Sequence, residues 1–280
     1  MAAALGIDPA RVLDLSASLN PLAPDVAAVA GRHLGTLRCY PDPAAATAAL
    51  ADAMGVDRQC LLLTNGGSEA ITLVAGELGG HVDEPEFSLH PREGGPRWRS
   101  NPHNPTGRLA PADERADVWD EAFYPLATGS WTRGDPGSVV VGSLTKLFAC
   151  PGLRLGYVVA PPELLDRLRR RQPAWAVSTL AVAALPDLLE TADLTGWSVG
   201  IAELRSDLVA LLDTHGLAPL ASEAPFVLCR QARGLRSRLA PHGVVVRDAS
   251  SFGLPHHARV AVPDRAGLAR LQDALERSAP

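Results

Sequence analysis

The stretch Ser143-Leu144-Thr145-Lys146-Leu147-Phe148-Ala149-Cys150-Pro151-Gly152-Leu153-Arg154-Leu155-Gly156-Tyr157 sets one lysine behind an apolar run and ahead of an arginine. The run before it, Ser138-Val139-Val140-Val141-Gly142, is short, β-branched and flanked by glycine, so it reads as a buried strand. Such a strand delivers Lys146 to the carboxyl edge of a sheet, where open α/β sheets bind ligands. Most lysines snorkel at the surface. Spacing alone leaves that the commoner fate, with an amine that forms an imine with a carbonyl as the alternative.

Upstream, Asp42-Pro43 begins an alanine-rich apolar pattern that reaches Met54 and stops at Gly55. It predicts a helix with an N-cap, a proline in its first turn and a glycine stop. Cys60-Leu61-Leu62-Leu63-Thr64 predicts a buried strand, and Asn65-Gly66-Gly67-Ser68-Glu69 turns it into a helix over 70–78. Strand, glycine turn and helix in that order make an anion site. Residues 79–115 are rich in glycine, proline and charge and carry little periodicity, so they read as an unusually long loop. Downstream, Tyr157-Val158-Val159-Ala160 reads as a strand, followed by helices over 162–171, 178–192 and 197–215. The tail mixes strands over 226–230, 244–247 and 259–262 with helices over 234–240 and 264–276, the pattern of a small α+β lobe.

The 280 residues, 46% hydrophobic and 20% charged, suffice for a large domain and a smaller one. The net charge of −5 comes without long runs of one sign, which leaves no footprint for nucleic acid or an anionic membrane. Arg169-Arg170-Arg171 closes a helix and reads as a solvated face favoured by the dipole. Cys39, Cys60, Cys150 and Cys229 form no CxxC pair and read as reduced, buried thiols. No apolar run is long enough to span a membrane and residues 1–8 lack a leader's basic start, so a soluble, cytoplasmic chain is expected. His256-His257 has no cysteine or carboxylate at ligand spacing, so no metal site is expected.

The Lys146 segment resembles the lysine motif of the fold-type-I pyridoxal-phosphate (PLP) enzymes. The resemblance is to the aminotransferase class I/II family, which includes histidinol-phosphate aminotransferases and threonine-phosphate decarboxylases. It runs in patches from about Leu13 to about Val262. It implies an α/β fold with a mostly parallel central sheet in a large domain over 40–180 and a small α+β domain over 181–280. Residues 1–39 then contribute to the small lobe. It also implies pyridoxal 5′-phosphate as cofactor, joined to Lys146. Asp120, in Val118-Trp119-Asp120-Glu121-Ala122-Phe123, matches the acid that keeps the ring nitrogen protonated. Gly66, Gly67, Ser68, Ser143 and Arg154 match the phosphate anchors. Asn104, in Asn101-Pro102-His103-Asn104-Pro105-Thr106-Gly107, matches the donor to the ring oxygen. Phe87, in Pro85-Glu86-Phe87, falls where the family places an aromatic over the ring. Tyr40-Pro41-Asp42 resembles the segment whose tyrosine reaches the neighbouring subunit's cofactor, which implies a homodimer with shared sites. Arg247 and Arg259 match the arginines that hold substrate carboxylate or phosphate, and Asn20 lies in a segment that folds over the site. Each pattern alone has a commoner fate, as an exposed carboxylate, an ordinary turn or a surface ion pair. In the family's order they form one constellation.

The chain departs from the family between Glu84 and Trp119, where members carry further strands and helices; part of the large domain is expected to be missing. Three features resemble the decarboxylase branch, which serves cobalamin biosynthesis. They are Leu13-Asp14-Leu15-Ser16-Ala17 with Asn20-Pro21, the phenylalanine at 123 where histidinol-phosphate enzymes have a tyrosine, and Gln172-Pro173-Ala174-Trp175-Ala176-Val177-Ser178. The leading expectation is therefore a threonine-phosphate decarboxylase acting on a small amino-acid phosphate. The alternatives are a histidinol-phosphate-type aminotransferase and a degenerate relative that binds or regulates.

Overall fold

The computed structural model describes residues 7, 8 and 11–278. Residues 1–6, read above as lacking a leader's start, lie outside the described residues. The chain begins with β1 (Leu13–Leu15), the short helix α1 (Val26–Gly31) and α2 (Ala44–Met54). Next, β2 (Leu61–Asn65) leads into α3 (Gly66–Leu78), followed by β3 (His81–Val82), β4 (Arg97–Ser100) and β5 (Val118–Asp120). Helix α4 (Tyr124–Thr128) precedes β6 (Val139–Gly142), and one helical turn, α5 (Leu144–Leu147), carries Lys146 into β7 (Leu155–Val159). Helices α6 (Pro162–Arg171), α7 (Thr179–Glu190) and α8 (Leu194–Thr214) follow. The tail is β8 (Phe226–Cys229), α9 (Leu235–Leu239), β9 (Val244–Asp248), β10 (Ala258–Ala261) and α10 (Arg265–Arg277).

The large sheet has the order β2-β7-β6-β5-β4-β3 and the small one β1-β9-β10-β8. Strands β3 to β6 pair parallel, whereas β7 runs antiparallel to both β2 and β6. The mostly parallel sheet expected from the sequence is thus present. Alternation sorts its side chains: Leu61, Leu63 and Val140 face α1, α2 and α7, whereas Leu62, Val139 and Val141 face α3 and α6. Both faces are covered there, as a parallel sheet requires. Local chemistry sets the helix ends. Helix α2 starts one residue later than the sequence suggests, with Pro43 at the cap position and the Asp42 carboxylate accepting from the Ala44 N–H at 3.0 Å from just outside it, and Gly55 closes α2 in the left-handed conformation, at φ 67°.

The large-sheet core takes in Ala181 to Ile201, and the small-lobe core begins at Leu204, so the two cores meet inside α8, beyond residue 180. Leu15 joins the small lobe while Val29 packs into the large core, so the described residues before α2 serve both and not the small lobe alone.

The stretch read as one long loop, 79–115, contains β3 and β4. Strand β4 reads Arg97-Trp98-Arg99-Ser100, with Trp98 buried against α3 and both arginines on the other face. Interior parallel strands are apolar on both faces. This one carries charge because the described chain holds no helix between β4 and β5 to cover it. Arg97 pairs with Asp83 at 2.9 Å and with Glu114 at 2.8 Å, and Arg99 reaches Glu114 at 2.5 Å. Of the four thiols expected to be buried, Cys150 and Cys229 are; Cys60 is half-buried in the turn before β2, and Cys39 is exposed. Among the described residues no helix is long and apolar enough to cross a membrane, and no cluster of acids, histidines or cysteines could hold a metal ion.

Glu121 follows β5 with its side chain buried; Oε1 accepts from the Arg133 N–H at 3.1 Å, and Oε2 has no partner among the described residues. Burial pushes its carboxyl from the usual 4.5 up to about 7. The folded state therefore loses stability as pH rises through that window. Glu121→Gln is expected to raise the unfolding free energy by about 3 kcal/mol at pH 8 and to leave it nearly unchanged at pH 4. Urea unfolding at the two pH values checks this; an equal effect at both contradicts it.

Candidate active site

Strands β2, β4, β5 and β6 end at one edge of the large sheet, and β7, running the other way, begins there. Topology alone therefore gathers the turn at Gly66 to Ser68, the turn holding Asn104, Asp120, Ser143 with Lys146, and Arg154. The small lobe faces this edge with Ser16 and Ala17 after β1, Arg247 on β9 and Arg259 on β10. Between them lies a cavity of about 360 Å³, which Phe87 and Phe123 also line. Its charged lining is Lys146, Arg154, Arg247 and Arg259 against Asp120 alone, a cationic site in a chain of net charge −5.

The anion cradle depends on three glycines. A Cβ on Gly66 would lie 2.5 Å from Arg154 Nη2, one on Gly156 would lie 2.4 Å from the Gly66 carbonyl carbon, and one on Gly67 would press on Ser143 Cβ at 3.2 Å. Arg154 itself sits at φ 57°, a left-handed conformation that costs a non-glycine residue about 1–2 kcal/mol. Strand β7 and the start of α3 are thereby in close contact, with the guanidinium against the turn. The N–H groups of Gly67 and Ser68 open a 13-residue helix, where the dipole favours an anion.

Lys146 is half-buried, and its ammonium donates to the Ala17 carbonyl at 2.9 Å. Burial, with Arg259 and then Arg154 repelling it, lowers its pKa to about 8. Asp120 is 8% exposed; Oδ1 accepts from the Ala122 N–H at 3.0 Å and Oδ2 from His90 Nε2 at 2.9 Å. Arg259 is buried above the Phe226 ring and donates to Asn104 Oδ1 at 2.6 Å and to the Ser16 carbonyl at 3.2 Å. Its Nε has no partner, and burial together with Arg247 pushes its pKa down. A buried guanidinium without a carboxylate calls for an anion. The Asn104 oxygen is occupied, so its amide N–H groups remain to donate. Arg247 is half-buried, donates to Ser251 Oγ at 3.0 Å and stacks over Phe252.

Three residues singled out in the sequence are not part of the cavity lining: Gly66, which sits behind it against Arg154, Asn20 and Tyr40. Asn20 donates to the Leu147 carbonyl at 2.9 Å and its backbone to that of Lys146 at 3.1 Å, so it clamps the N-terminal segment onto the lysine turn. Tyr40 is 78% exposed and stacks on Trp175 with centroids 4.5 Å apart. Sequence reasoning missed His90, which supports Asp120, and Ser16 and Ala17 as acceptors. The signal for His90 was a lone histidine in an aperiodic loop, which says nothing of inward folding.

The residues present suit pyridoxal 5′-phosphate. The glycine cradle with Ser143 and Arg154 fits a phosphate, Asp120 a cationic ring nitrogen, the Asn104 amide a ring oxygen, and Lys146 an aldehyde carbon. Comparison with known proteins agrees. Residues 98–275 match the family described as aminotransferase class I and II. Histidinol-phosphate aminotransferase 1 of Cupriavidus pinatubonensis is 30% identical over 342 aligned positions, covering 97% of this chain and 90% of that protein. That alignment is longer than the 280-residue chain, so the relative carries internal segments absent here. The structure of histidinol-phosphate aminotransferase from Sinorhizobium meliloti in complex with pyridoxal-5′-phosphate has a TM-score of 0.86 at 19% identity, covering 99% of this chain and 93% of that one. L-threonine-O-3-phosphate decarboxylase from Porphyromonas gingivalis has a TM-score of 0.80 at 23% identity, covering 95% and 99%. The chain belongs to the aminotransferase class I and II family and has its fold-type-I architecture, and its cofactor is pyridoxal 5′-phosphate.

Proposed function

We propose that this enzyme transfers the amino group of a phosphorylated amino compound of the histidinol-phosphate type. The observation that carries the reading is the Lys146 amine, lowered to about 8 and facing a cavity shared with Asp120 and three arginines. When bound, PLP supplies an electron sink for the charge left at the substrate's Cα. The protein supplies the rest. Asp120, held by Ala122 and His90, keeps a proton on the ring nitrogen. Gly67, Ser68, Ser143 and Arg154 would hold the cofactor's phosphate, the Asn104 amide would donate to its ring oxygen, and Phe87 lines the same cavity. Lys146, once its amine is free, would take the proton from the substrate's Cα and would deliver it to the cofactor carbon that carried the aldehyde oxygen. Arg247 and Arg259 take the substrate's phosphate or carboxylate.

Decarboxylation of threonine phosphate is the second reading, and Phe123 favours it: the ring lines the cavity and offers no hydroxyl to the cofactor's oxygen. The sequence ranked it first. We rank it second because the Gln172 to Ser178 segment, counted toward it, lies away from the cavity. There Gln172 bonds the Leu63 carbonyl and Glu69, and Trp175 stacks on Tyr40. The curated relative quoted above is also named for the aminotransferase. The exposed Tyr40, together with exposed Leu34 and Leu37, supports a homodimer in which Tyr40 reaches the second copy's cofactor. Four free cysteines suit the cytoplasm.

PLP-loaded protein given histidinol phosphate and 2-oxoglutarate is expected to form glutamate, and to release no carbon dioxide from threonine phosphate. Carbon dioxide without glutamate selects the second reading; neither product contradicts both. Lys146→Ala is expected to abolish turnover, and Asp120→Asn to lower kcat by about a hundredfold or more. Steady-state kinetics of the reconstituted variants checks both, and an active Lys146→Ala enzyme refutes the role given to the amine.

A further inference from the structure

Glu86 is a buried carboxylate, 2% exposed, with no role in the reaction described above. Burying it is costly unless its oxygens are occupied. Oε1 accepts from Ser100 Oγ at 2.5 Å and from the Phe87 N–H at 3.0 Å, and Oε2 accepts from the Ser100 N–H at 3.0 Å. Those bonds tie the shortened segment after β3 to the end of β4. Each oxygen also faces an imidazole. His90 Nδ1 lies 4.0 Å from Oε1, and His103 Nε2 lies 3.8 Å from Oε2, within ion-pair distance and beyond hydrogen-bond reach.

The two imidazoles lead to the cofactor site by separate routes. His90 is buried between Phe87 and Trp98, at centroid distances of 5.7 Å and 5.6 Å, and its Nε2 meets Asp120 at 2.9 Å. Its Nδ1 has no hydrogen-bond partner among the described residues, and Glu86 is the carboxylate it faces. His103 is held by Thr106 Oγ1 at 2.7 Å and the Pro85 carbonyl at 2.8 Å, and it immediately precedes Asn104. We propose that Glu86 is a positioning residue that sets Asp120 through His90 and Asn104 through His103. One carboxylate thereby registers the acid for the ring nitrogen against the amide for the ring oxygen. This inference rests on the reading that Asp120 and Asn104 face the cofactor ring.

The test compares wild type, Glu86→Gln and Glu86→Ala in three measurements: the dissociation constant for PLP, the visible-region circular dichroism of bound cofactor, and the Tm of the cofactor-free chain. Glutamine keeps the size of the side chain and an oxygen for the Ser100 N–H, and removes the charge facing both imidazoles. Glu86→Gln is expected to keep its Tm within a few degrees, to bind PLP about tenfold more weakly, and to change the dichroic amplitude, which reports how the ring is held. Its kcat falls while KM for the amino substrate holds. Wild-type affinity and dichroism in Glu86→Gln would overturn the inference and leave the functional reading standing, even if Glu86→Ala fails to fold. A wild-type chain that binds no PLP overturns both.

Discussion

The site depends on one electrostatic constraint: a primary amine is kept inside a cavity crowded with guanidinium groups and only partly relieved by the carboxylates of Asp14 and Asp120. Water would keep such an amine protonated. Here burial, together with Arg259 and Arg154, brings Lys146 to about 8, so that near-neutral solutions contain a usable fraction of the free base. The same cations that lower the amine also attract the anions the reaction needs, a cofactor phosphate on one side and a substrate phosphate or carboxylate on the other. One charge pattern therefore serves both binding and reactivity.

The fold makes that crowding possible at low strain elsewhere. A wholly parallel sheet would put Arg154 at the far edge, but β7 runs backwards and begins beside the cavity. Gly66 and Gly156 then let backbone and guanidinium approach more closely than any side chain allows. The small lobe adds carbonyls: Ala17 accepts from Lys146 and Ser16 from Arg259, so the N-terminal segment carries dipoles where two cations need them. The shortened half of the large domain is stabilised differently. Its exposed sheet face carries Arg97 and Arg99 paired with Asp83 and Glu114, a polar cover in place of a packed helix.

Much of this was legible in the residues. Strands β2, β6 and β7 were legible as apolar runs, the run before Lys146 put that residue at the sheet's carboxyl edge, and the glycine turn at 66–68 read as an anion site; Ser143 and Arg154 were assigned by the family motif, because nothing local says that β7 runs backwards. Asp120 and Asn104 were legible through motif order alone. Strand β4 was not, because the alternation Arg-Trp-Arg-Ser offers one buried residue, and charges on the other face read as loop. Asn20 was read only as part of a segment folding over the site, since nothing local says that its amide turns to the Leu147 carbonyl. Glu86 and His90 were invisible for a related reason: their partners, Ser100 and Asp120, are supplied by the tertiary fold.

Reducing the PLP-treated protein with borohydride and mapping the labelled peptide by mass spectrometry tests the central claim most directly. The account predicts that the phosphopyridoxyl mass falls on Lys146, in the peptide that ends at Arg154. A label on another amine, or none at all, would contradict it.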